Sequence, residues 1–127
     1  MLINNIKISE EEIRSALSSF TDLYSSEVEK TDSAFKITLK NQSKKILITW
    51  PIDISEVFFD FFDNEEKIFH EWLECMEVND KNIFIEFAIS IPKKYLEHET
   101  KVITEGKLLK IKKLVYFSGH CWVDIFE

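Results

Sequence analysis

Two spacings of apolar residues alternate along the chain, and the points where one gives way to the other outline its elements. In "SEEEIRSALSSF", Ile13, Ala16, Leu17 and Phe20 recur every three or four residues, as on one face of a helix. The stretch opens on Ser9-Glu10-Glu11-Glu12, a capping box: the serine hydroxyl takes an orphan amide and Glu12 reaches back to Ser9. Acids in the first turn also suit the helix dipole, so a helix over 10–20 is predicted. Next, "AFKITLK" (34–40) and "KKILITW" (44–50) alternate apolar and polar positions around Asn41-Gln42-Ser43. That predicts a hairpin with Phe35, Ile37 and Leu39 on one face, matched by Ile46, Ile48 and Trp50. Pro51 has no amide to donate and ends the second strand.

The run "DISEVFFDFFDNEEKIFHEWLECME" (53–77) mixes aromatics with carboxylates. Asp53 and Glu56 repeat the cap pattern. At a helical pitch, Val57, Phe58, Phe61 and Phe62 cluster on one side, while Glu56, Asp60 and Asp63 line the other and Phe59 falls among the acids. Ile68, Phe69, Trp72, Leu73 and Met76 form a second stripe, opposite Glu66, His70, Glu74 and Glu77. The expectation is an amphipathic helical stretch, broken near Asp63-Asn64 because Glu65 would otherwise sit mid-stripe.

The remainder reads as β. "NIFIEFAISI" (82–91) places Ile83, Ile85, Phe87, Ile89 and Ile91 on one face. "TKVIT" and "KLLKIKKLVYF" flank Glu105-Gly106, a hairpin signal, and "CWVDIFE" follows Ser118-Gly119. Five or six short strands and two or three helices, in the order αββαβββ(β), predict an α+β fold. One antiparallel sheet with the helices packed on one face, forming a single domain over 1–127, is the expected architecture.

Composition narrows the function. With 127 residues, 45% hydrophobic and 31% charged, the chain has material for one core and a wet surface. Its two Gly and two Pro argue against a loop-dominated fold. No run of uncharged apolar residues is long enough to span a bilayer, so no membrane partner is expected. "MLINNIKISEEE" lacks the basic and apolar regions of a secretory signal, which makes cytoplasmic residence the default. The net charge of −7 offers no basic face for a phosphate backbone, so direct binding to nucleic acid is not expected. The charge is concentrated. Residues 51–80 carry ten acids against Lys67 alone, residues 1–50 balance to zero, and residues 81–127 sum to +2.

Candidate chemistry is sparse. His70, His98, His120, Cys75 and Cys121 show no metal-ligand spacing, so neither a metal nor any cofactor is expected. Cys75 and Cys121 have no basic or glycine-rich neighbourhood to activate a thiol, and both read as small buried hydrophobes. No phosphate-cradling glycine loop occurs, and carboxylates on one wet face share the same environment rather than the contrasting ones that acid–base catalysis needs. A binding protein is therefore expected, not an enzyme. Like charges at helical i, i+4 spacing, with Lys67 the one lysine among them, cost stability, and an aromatic set among acids suits an interface anchor.

In size, net charge and the acid–aromatic run 53–77, the chain resembles a bacterial immunity protein of the contact-dependent inhibition and related polymorphic toxin systems. The resemblance implies a toxin-neutralising partner for a cognate, basic and typically nuclease toxin domain, whose cationic cleft the acids would cover as phosphate surrogates. Phe59 as anchor, with Asp60, Asp63, Glu66, Glu71 and Glu74 pairing toxin lysines and arginines, would form the contact, the inhibitor acting as a monomer. A small enzyme and a phage-type nucleic-acid mimic are the alternatives.

Overall fold

A computed structural model describes residues 8–21, 23–74 and 81–127. The chain runs α1 (Glu10–Thr21), β1 (Ser25–Lys30), β2 (Ala34–Asn41), β3 (Lys44–Pro51), β4 (Glu56–Asp63), β5 (Glu66–Glu74), α2 (Lys81–Glu97), β6 (Thr100–Glu105), β7 (Ile111–Phe117) and β8 (Trp122–Asp124). The fold is α+β, as expected. The strands form two antiparallel sheets: five in the order β1-β2-β3-β4-β5, and three in the order β6-β7-β8.

The expected capping box is present. The Glu12 amide donates to Ser9 Oγ at 3.2 Å and the Ser9 amide to Glu12 Oε1 at 3.1 Å. Partial burial would raise the Glu12 pKa, but hydrogen bonds from Lys81 and Ser9 outweigh it and hold the carboxyl below its usual value. A depressed folded-state pKa contributes stability that is present above the unfolded pKa and is lost as pH falls through the folded one. Glu12→Gln is therefore expected to cost about 1 kcal/mol at neutral pH. In urea titrations across pH, the gap to wild type should close below the ordinary glutamate range of about 4.3.

The expected hairpin is β2–β3, in the register Phe35↔Trp50, Ile37↔Ile48 and Leu39↔Ile46. All six of these side chains are buried. The two segments around α2 exchange type relative to expectation. The run 53–77 is not helical where described: 56–74 is the β4–β5 hairpin, and Cys75, Met76 and Glu77 lie outside the described residues. In turn, 82–91 is helical. Phe84, Ala88, Ile91 and Tyr95, spaced three to four apart, are buried along α2 together with Pro92 and Leu96, whereas Ile83, expected inside, is 65% exposed.

The β4–β5 hairpin follows from a two-residue turn. Asn64 and Glu65 both adopt positive φ, 51° and 67°, as a type I′ connection demands. Asparagine tolerates that region and glutamate does not. Glu65→Gly is expected to raise stability by about 1 kcal/mol, read as a higher urea midpoint; a lower midpoint would contradict the turn.

One core joins both sheets and both helices. Ile13, Leu17 and Phe20 of α1 and Phe84, Ile91 and Tyr95 of α2 pack with the inward residues of β2–β4, and Leu114 and Ile125 join the same cluster. The last turn of α2 is held by the β2–β3 turn region. Lys44 Nζ donates to the carbonyls of Tyr95 (2.9 Å) and His98, and Asn41 Nδ2 to that of Leu96 (2.9 Å). Such donors satisfy the orphan carbonyls of a helix end. The opposite face of the five-stranded sheet carries no element among the described residues.

Candidate partner-binding edge

A strand alternates its side chains, so β4 divides by parity. Val57, Phe59 and Phe61 are buried, while Glu56, Phe58, Asp60 and Phe62 are only partly covered on the open face. The partner strand follows: Phe58 lies opposite Trp72, Asp60 opposite His70, and Phe62 opposite Lys67. A bulge at Ile68 shifts the register and lets Ile68 and its neighbour Phe69 both pack against the core.

This arrangement separates the six residues expected to form one acidic face. Phe59 is fully buried. Its ring stacks on Phe61 and meets Phe126 edge-on, so it is core and not an anchor. Asp60 is on the open face but is already engaged, by Lys67 Nζ at 3.0 Å and His70 Nδ1 at 2.6 Å. Asp63 turns toward the end of α2, where it accepts from Ser43 Oγ at 2.9 Å and draws up the pKa of Lys44, a pKa that burial depresses on balance. Glu66, Glu71 and Glu74 fall together on β5, the edge strand. Glu71, opposite Phe59, and Glu66, opposite Asp63 at the turn, are on the core-side margin of the strand. Glu74 shares the open face with the half-exposed Trp72, whose indole Nε1 donates to Glu74 Oε1 at 3.1 Å.

The electrostatics of the edge follow from these pairings. Residues 56–74 carry seven acids and one lysine, and that lysine is taken up by Asp60. Glu56, Glu65, Glu66, Glu71 and Glu74 have no cationic partner among the described residues. The acidic surface therefore follows β5, an edge strand among the described residues, together with its turn, with Glu56 beside Glu74 across the strand pair. The interior of the open sheet face is mixed, since Lys36, Lys40 and Lys45 lie on it beside Thr38, Leu47 and Phe62. Lys45 Nζ sits 4.5 Å from the centroid of the Phe62 ring.

The exposure of Trp72 was missed because helical phase assigned it to the core, as it did Phe58 and Phe62. The signal that finds them is the period-2 pattern of "EVFFDFFD", once aromatics are accepted on an uncovered face.

Other candidates remain apart. His98 borders an open cavity of about 520 Å³ with Asn41, Gln42, Ser43 and Lys44, and its ring packs on Tyr116. His120 is exposed in the turn where the Ser118 hydroxyl accepts from the amides of His120 and Cys121. Cys121 is exposed, contrary to the expected burial, and Cys75 lies outside the described residues. Among the described residues, His70 hydrogen-bonds to no hydroxyl or thiol, and no cluster of three or more His, Cys, Asp or Glu could hold a metal ion. No helix among them is long and apolar enough to cross a membrane.

The fold and this surface together define an α+β domain with an acidic sheet edge, unpaired among the described residues. No protein family, curated protein or solved structure matches the chain.

Proposed function

We propose that this protein is a toxin-neutralising immunity protein, which binds a basic, nuclease-type toxin domain and blocks it along the free edge of β5. The observation that carries the reading is the combination on that edge of unneutralised carboxylates (Glu66, Glu71, Glu74) with an exposed tryptophan, Trp72. Edge strands usually carry lysines or inward charges that repel other chains in general. Acids alone discriminate: they repel acidic partners and attract a cationic cleft. Interfaces are anchored by tryptophan more than by any other residue, and complementary charge accelerates docking. The unpaired backbone groups of the strand could also extend a partner's sheet, with the Ile68 bulge limiting pairing to one part of the edge. The contact differs from the expected helical face in its element, not in its sign.

Co-purification with the product of the adjacent upstream gene tests the reading. A stable complex with a basic protein, assembling more slowly as salt rises, is the expected result. Binding to an acidic partner, or an association rate indifferent to salt, would refute it.

A further inference from the structure

The β6–β7 hairpin carries the opposite signature. In its loop, residues 106–110, Leu108 is 103% exposed and Leu109 74%, the two most exposed of the large apolar side chains among the described residues. Ile111, the first residue of β7, is exposed beside them. Lys107, Lys110 and Lys112 surround this tip without a carboxylate partner among the described residues, while Lys113 is held by Glu105 at 3.0 Å. On the same hairpin Lys101 Nζ lies 4.1 Å from the centroid of the Trp122 ring, itself partly exposed.

The tip is built. Gly106 has a φ of +109°, and a Cβ there would meet the Leu109 carbonyl oxygen at 1.9 Å. Only glycine allows the backbone to double back on itself so closely, and that fold leaves both leucines facing outward. The same two leucines laid back on the sheet would shed apolar area from water; the turn prevents it.

We propose that this tip docks on an anionic phospholipid surface. Two leucines and an isoleucine on a convex loop cover too little area for a standard protein interface, which needs about 800 Å² on each side. They do suit insertion at the boundary between headgroups and acyl chains, where flanking lysines reach lipid phosphates. The charge of the tip matters because the whole protein is at −7. Attraction to an anionic bilayer then depends on local groups of lysines. The open sheet face has Lys36, Lys40 and Lys45, but this tip joins its lysines to exposed apolar side chains. The surface is independent of the β5 edge and opposite in sign, so the two serve different partners.

The test uses the full chain and vesicles of phosphatidylcholine, alone or with about one third phosphatidylglycerol. Wild type is expected to sediment with the mixed vesicles and not with the neutral ones, and to be released by about 0.5 M salt. Leu108→Ser with Leu109→Ser should lower partitioning about tenfold or more. Lys107→Gln, Lys110→Gln and Lys112→Gln together should abolish the preference for anionic lipid. These positions are exposed, so an unchanged near-UV circular dichroism spectrum is expected to show each variant folded. Equal binding to neutral vesicles, no binding to either, or variants that partition as wild type would overturn the proposal. So would a protein complex or self-association lost in the leucine variant while vesicles stay unbound, which would assign the tip to a protein.

Discussion

Phe61→Ala is expected to lower stability by about 4 kcal/mol, a large share of the roughly 5–15 kcal/mol of an ordinary domain. Phe61 is completely buried at the meeting point of the aromatic cluster. Its ring centroid lies 5.0 Å from that of Tyr95 and 6.0–6.1 Å from those of Phe59, Phe69 and Phe126. These partners come from β4, β5, α2 and the C-terminal segment, so truncation opens a cavity that no single element can close by shifting. Lost edge-to-face pairing adds to the lost burial. Phe58→Ala, on the open face of the same strand, should cost about 1 kcal/mol or less by comparison. Urea unfolding of the two variants reads strand parity directly. A helix placing Phe58 and Phe61 on one buried side would make the two losses similar; a strand makes them differ several-fold.

That comparison touches the point where the sequence was hardest to read. In 56–63, five of eight positions are large and apolar, so helical and extended periods fit nearly equally well. The strand solution leaves Phe58 and Phe62 partly in water, which a rule of apolar residues inside disfavours. In 82–91 the ambiguity ran the other way. Isoleucine or phenylalanine at every odd position imitates a strand. The helical spacing of the buried Phe84, Ala88, Ile91 and Tyr95 is masked by the exposed Ile83 and the partly buried Ile85 and Ile89 on the flanks. Tertiary demand decided both, because the inner face of the five-stranded sheet needs a covering helix. The α+β class survived because one segment of each type changed places. Local signals held where chemistry was specific, in the Ser9–Glu12 box and the alternation of β2–β3. The Glu105-Gly106 signal marked a real hairpin, but its loop runs over 106–110 and β7 starts at Ile111 and not at Lys107.

The candidate site was legible in its charge and not in its geometry. Counting acids located the excess within 51–80, and charge is independent of secondary structure. Which acids are available depended on contacts that no spacing encodes. Asp60 is occupied by Lys67 and His70, Asp63 faces the end of α2, and Phe59 is core. Glu66, Glu71 and Glu74 remain on the edge strand, where Trp72 hydrogen-bonds to Glu71 and Glu74, and Glu66 lies at the turn end.

Reversal of those three charges together with removal of the ring should therefore weaken binding to a cationic partner severely. Trp72→Ala alone should cost about 2 kcal/mol if the indole is an anchor, or about 30-fold in affinity. Glu66→Lys, Glu71→Lys and Glu74→Lys act chiefly on the association rate, which steering by complementary charge raises by about tenfold or more at low salt. The combined loss is expected to reach about 100-fold or more. None of the four side chains is buried, and their hydrogen bonds join near neighbours on β5, so the fold should persist.

The most direct measurement is the dissociation constant of the upstream-encoded basic protein for wild type and for this four-residue variant. It should be taken by titration calorimetry at low and physiological salt, with both chains shown to be folded. A loss of about 100-fold, larger at low salt than at high, is the predicted result. An affinity unchanged by the four substitutions would place the docking surface elsewhere and contradict the account.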